Sequence, residues 1–177
     1  MPSSENMQFL SEIGIDPKNF SVDEWKGKLR DVLKSVDDPE KKVFLARSFI
    51  NFVVAVSPDL IDGVFDIRIA ERVENRAEGE DCFGYIHGVN VVDSQAVTDD
   101  MTTNCEFSLE PVVGAFALYV DLYLNPRHIG RVNERGNVVS KWGVTGHVYE
   151  HNPYMVPISY GDIIAYYIPP QSPSIRA

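Results

Sequence analysis

The stretch Val112-Val-Gly-Ala-Phe-Ala-Leu-Tyr-Val-Asp-Leu-Tyr-Leu124 decides the fold. Pro111 ahead of it offers a place to open a helix. Yet Phe116, Leu118, Val120, Leu122 and Leu124 alternate with Ala117, Tyr119, Asp121 and Tyr123, and the segment is rich in β-branched and aromatic residues. Period-two alternation of that composition reads as one long strand. Downstream, Ile129 to Val132 and Val138 to Trp142 flank Asn133-Glu-Arg-Gly-Asn137, the pattern of a hairpin. Val144 to Glu150 and Ile158 to Ile168 read as further strands, ended by Pro169-Pro170. Upstream, Val64 to Ile69 alternates apolar with charged residues as a half-buried strand does. Glu71 to Asp81 reads as a solvated acidic excursion, and Phe83 to Val92 as a bent strand with Gly84 and Gly88 at bulges. Gln95 to Asn104 reads as loop.

Ahead of Gly63 the texture is different, with apolar residues recurring at helical spacing. Ser4 can cap a short helix through Ile13. Ser21 and Glu24 form a capping box before Val22, Trp25, Leu29, Val32, Leu33 and Val36, which fall on one face. Asp38-Pro39 supplies a second N-cap with proline at the first helical position, for a helix ending near Val56. The link between these two helices is short enough to make them an antiparallel pair. The expected core of this region is Val22, Trp25, Leu29, Leu33, Phe44, Leu45, Phe49, Phe52 and Val53. The fold class read from the sequence is therefore α+β. A helical hairpin of two to three helices in residues 1–60 precedes an antiparallel β-sandwich or jelly-roll-like body over 61–170, and residues 171–177 form a flexible tail.

The chain of 177 residues has a net charge of −10, unevenly placed. Residues 1–60 carry 10 acids and 8 bases, residues 61–110 carry 12 and 3, and residues 111–177 carry 4 and 5. No basic stripe exists to neutralise phosphates, which argues against direct nucleic-acid binding. The most apolar run, Val43 to Val56, contains Arg47 and Asn51 and is too short to span a bilayer. The N-terminus shows neither a basic nor an apolar signal region. Cys82 and Cys105 lack any zinc or redox spacing and read as free thiols of a reducing compartment, the cytoplasm or a virion, although one bridge between them stays open.

Two patterns resemble known sites. His147-Val-Tyr-Glu-His151 resembles the H-x-x-E-H zinc signature of one peptidase group. That chemistry needs both imidazoles one helical turn apart. On a strand, positions four apart are separated by roughly 13 Å, so no shared ion is expected. Gly161-Asp162, Ile163-Ile164 and Ile168-Pro169 resemble the second conserved strand pair of cupins. The resemblance implies a jelly roll, but Pro170 and Gln171 follow where cupins carry a metal-binding histidine. The acidic cluster Glu74, Glu78, Glu80 and Asp81 lacks the ligand order of a calcium loop and reads as solvated.

With no catalytic constellation, metal site or cofactor fingerprint, the expectation is a non-enzymatic assembly subunit without a cofactor. It would work through protein–protein contacts with itself or another protein, as a homo-oligomer or part of a larger assembly, and by fold-level analogy resembles capsid decoration or connector proteins of virions. The expected interface is basic: Arg127, Arg131, Arg135 and Lys141, complementary to the acidic 61–110 segment. One alternative is a cupin-like small-molecule-binding barrel or enzyme with His147, Tyr149 and His151 lining its mouth. The other is an acidic inhibitor of a basic partner.

Overall fold

A computed structural model describes residues 22–56, 58–72, 81–88, 93–143 and 146–170, without the side chains of residues 22–25, 56, 58 and 60. The short helix at Ser4–Ile13, the Ser21 capping box, the side chains of Val22 and Trp25, the acids Glu74, Glu78 and Glu80, and the tail lie outside the described residues. The described residues begin with α1 (Val22–Ser35) and α2 (Pro39–Val56), as the periodicity predicts. Asp38 caps α2, its carboxylate accepting from the backbone N–H of Glu40 at 2.9 Å and of Lys41 at 3.4 Å. This satisfies donors that no helical carbonyl can reach.

Seven strands follow among the described residues: β1 (Arg68–Glu71), β2 (Glu106–Ser108), β3 (Phe116–Val120), β4 (Pro126–Val132), β5 (Val138–Lys141), β6 (Val148–His151) and β7 (Ile163–Ile168). All pair antiparallel in one sheet of order β1-β6-β5-β4-β3-β7-β2. The β4–β5 hairpin turns at Asn133–Asn137, where Asn133 N–H donates to Asn137 O at 2.8 Å and Gly136 takes a positive φ of 75°. The expected sandwich or jelly roll is not what the described strands form: the sheet is open and no second sheet faces it among the described residues.

Helices take the place of a second sheet. Of the segment read as a bent strand over Phe83 to Val92, the described part is α3 (Cys82–His87) with Gly88 at its end, and the segment read as loop is α4 (Ser94–Asn104). Asp81 caps α3 by accepting from Gly84 N–H, and Gly88 ends it in the left-handed conformation at φ 68°. Asp93 caps α4 by accepting from Gln95 N–H, and Val97 and Met101, four apart, are its buried face. The strand expected from Val64 is confined to β1, because Phe65 and Asp66 both take positive φ and a tight turn brings Ile67 N–H to Val64 O at 2.9 Å.

The result is a sheet buried on both faces. On one side Ala117, Tyr119, Val132, Val138, Tyr149 and Tyr166 meet Leu29 of α1 and Phe49, Ile50, Phe52 and Val53 of α2. On the other, Leu118, Val120 and Ile129 meet Cys82 and Phe83 of α3 and Val97 and Met101 of α4. Phe44, expected in the core, is exposed, while Leu45, Phe49, Phe52 and Val53 are buried. Both cysteines are free thiols.

Two substitutions test this packing by urea denaturation. Phe49→Ala leaves a cavity under the sheet and is expected to cost about 3–5 kcal/mol. At Gly130 an added Cβ would lie 2.4 Å from Val138 Cγ1 and 2.9 Å from Val139 O. Gly130→Ala is therefore expected to cost about 1–3 kcal/mol through forced displacement of β5.

Candidate interaction surface

Between β3 and β4 the chain turns through Asp121-Leu-Tyr-Leu-Asn125. The alternation that marks 112–124 as one strand stops at Val120, and the last three apolar residues leave the sheet for solvent. Leu122, Tyr123 and Leu124 are 74%, 87% and 68% exposed. Water solvates such a tip poorly, so its persistence needs a specific cause.

That cause is the Asp121 carboxylate. Its Oδ1 accepts from the N–H groups of Tyr123 and Asn125, both at 2.9 Å. Its Oδ2 accepts from Asn125 Nδ2 at 3.0 Å and from Arg127 Nε and Nη2 at 3.0 and 2.8 Å. These bonds hold the carboxyl down to a pKa of about 2, with the Asn125 side chain as the first cause. Main-chain bonds from Asp121 N–H to Asn125 O and from Leu124 N–H to Asp121 O close the loop. Leu124 is held at φ 64°, a region that costs a branched side chain about 1–2 kcal/mol. The loop is thus a fixed turn that presents an aromatic ring between two leucines, at the expense of local strain.

A groove lies beside it. Asp162 N–H donates to Val120 O, the residue before the loop, at 3.2 Å. The Asp162 carboxylate pairs with Arg47 of α2 at 2.8 Å, and Arg47 also donates to Val156 O and Gly161 O. This clamp forms one wall of a depression of about 530 Å³ lined by Glu40, Val43, Phe44, Arg47, Ile158 and Asp162. Val43 and Phe44 are exposed.

The basic residues expected at the interface do not form one patch. Arg127 and Arg135 lie at opposite ends of β4, paired with Asp121 and Glu150 respectively. Arg131 sits 5.0 Å over the Phe116 ring. Lys141 is buried, on the sheet face that α3 covers, and is not surface charge. Glu150 also accepts from Asn137 Nδ2 at 2.9 Å, and these contacts with the hairpin turn outweigh its burial and lower its pKa.

The alternative trio is likewise structural. His147 Nε2 lies 3.2 Å from Asp59 Oδ1, an acid that also pairs with Arg72. Tyr149 and His151 have no exposed surface and pack against Trp142, so they do not line a mouth. His151 closes a buried chain: Trp142 Nε1–H donates to Ser140 Oγ, Ser140 Oγ lies 2.8 Å from His151 Nε2, and His151 Nδ1 lies 2.8 Å from Asn152 O. This pattern suits a neutral imidazole that donates through Nδ1 and accepts through Nε2. Burial holds its pKa down to about 4. No group of three His, Cys, Asp or Glu among the described residues is placed to hold a metal ion.

His128 was missed by sequence reading. It is fully buried, stacked on Tyr160 at 4.0 Å between ring centroids, and neither ring nitrogen has a hydrogen-bond partner among the described residues. Burial first, and the His151 charge second, lower its pKa well below the ordinary histidine value. It stands beside a cavity of about 320 Å³ that also touches Cys82, Arg127, Gly143 and Tyr160. Burial pushes the Cys82 thiol up to about 11, so it is not an activated nucleophile. Among the described residues no helix is long and apolar enough to cross a membrane. No protein-family model, curated protein or solved structure matches the chain.

The two core histidines make stability fall in acid. Their folded pKa values lie below the unfolded value near 6.5, so the folded state binds fewer protons. Stability is complete above about pH 6.5 and falls by about 1.4 kcal/mol per pH unit for each histidine as pH drops toward the folded values. Urea midpoints at pH 7 and 5 measure this. His128→Phe keeps a ring on Tyr160 and removes two unpaired polar atoms. It is expected to raise stability and reduce that pH slope, and an unchanged slope would place His128 in contact with water.

Proposed function

We propose that the protein is a non-enzymatic assembly subunit working through protein–protein contacts, with the 121–125 loop as its contact element. The observation that carries this reading is the combination of exposure and rigidity at Leu122, Tyr123 and Leu124. A tip fixed before binding loses little conformational entropy when a partner covers it. Interfaces draw most of their energy from a few aromatic and apolar anchors seated in pockets, and a tyrosine between two leucines has that form. The hairpin arginines take a smaller part in this reading than their charge suggests, since Arg127 and Arg135 already have carboxylate partners. Against the reading of an enzyme or small-molecule barrel stands the burial of Tyr149 and His151, two of the three residues expected at its mouth.

Native mass spectrometry of the parent and of a Leu122→Ser, Leu124→Ser variant tests the proposal. The Asp121 bonds go to backbone and to Asn125 and Arg127, so the variant is expected to fold with unchanged thermal stability. The parent is expected to appear as a discrete assembly and the variant as a monomer. An assembly identical in both would contradict the role assigned to the loop.

A further inference from the structure

Resting on that reading, we infer that the occupant of this surface is a second copy of the chain. Tyr123 of each protomer would seat in the Val43–Phe44 groove of the other, about a twofold axis. The reason is that a projection and a depression lie side by side at one end of the molecule. They are joined through Asp162, whose N–H is bonded to Val120 and whose carboxylate is clamped by Arg47. A twofold interface requires one patch to hold both halves of its own complement, so that loop meets groove and groove meets loop at once. A foreign partner would require only one of them.

Size and charge agree with this occupant. Leu122, Tyr123 and Leu124 of the loop and Val43 and Phe44 of the groove are large apolar side chains left exposed here. With between 36% and 87% of each exposed, they form a patch on the order of several hundred Å², the scale of the ~800 Å² per partner of a standard interface. The loop stem carries Arg127, whose exposed guanidinium uses Nε and Nη2 for Asp121, and the groove rim carries exposed Glu40. Loop in groove brings the base of one copy to the acid of the other, twice. The pairing of two like loops would instead oppose Arg127 to Arg127.

Cross-linking of the full chain tests the arrangement while leaving Tyr123 and Phe44 in place. Leu122→Cys and Glu40→Cys are made as separate proteins in a Cys105→Ser background, where the remaining Cys82 is buried. A short bismaleimide is then applied to each alone and to their mixture. The expected result is a shift from monomer to covalent dimer mass in the mixture, with one copy of each variant, and monomer for either alone. A parent that dimerises while the mixture gives no mixed cross-link, or while either variant cross-links to itself, overturns loop-in-groove pairing and leaves the assembly reading standing. A parent that stays monomeric at every concentration overturns the second copy as occupant. The assembly reading fails by a different result, an existing assembly that the loop serines do not change.

Discussion

The structure depends on burying both faces of one sheet. Four of the five residues of β3 have almost no exposure, with Ala117 and Tyr119 directed to one core and Leu118 and Val120 to the other. A strand with two apolar faces cannot lie at a solvated surface, so the chain must cover it twice. Helices α1 and α2 cover one side and α3 and α4 the other. The ends of the strands remain uncovered, and there the chain must turn in water. The β3–β4 turn meets that requirement with a single carboxylate, and its three apolar side chains are left without an intramolecular surface to join.

Much of this was legible. The cap of α2, the periodicity of α1 and α2 and the hairpin around Asn133–Asn137 follow from local rules that the tertiary structure does not override, whereas the strand read over 112–124 is realised only at Phe116–Val120. What was misread shares one cause: short segments whose pattern is ambiguous until the partner is known. Phe83, Tyr85 and the intervening Gly84 alternate as a strand would, yet the capping by Asp81 and Gly88 encloses a helix of only six residues. Val97 and Met101 carry the helical signal of α4 in a segment otherwise polar. With helices there, the other face of the sheet is covered and no sandwich is needed.

The candidate surface was hidden for a related reason. Leu122 and Leu124 continue the alternation of β3, and only the Asp121…Asn125 spacing marks a turn. Charge points instead to Arg127, Arg131, Arg135 and Lys141, but Arg127 pairs with Asp121, Arg135 pairs with Glu150 of β6, Arg131 lies over the Phe116 ring and Lys141 is buried. Histidines show the same limit. His147 and His151 drew attention as a motif, but His151 serves a buried chain through Ser140 to Trp142. His128 carries no motif and holds two of the three buried side-chain polar atoms that lack a partner among the described residues. A buried polar group without partners costs stability unless something else offsets it, and stacking on Tyr160 with a tilted contact to Tyr119 is the compensation visible here.

In the proposed dimer the rigid apolar tip between β3 and β4 is where one copy meets the other. Backbone hydrogen exchange of the full chain, compared between dilute and concentrated solution, addresses it directly. The account predicts added protection at high concentration in peptides covering residues 121–127 and 39–47, with the rest of the sheet unchanged. Protection confined to another region, or exchange that is the same at both concentrations, would contradict it.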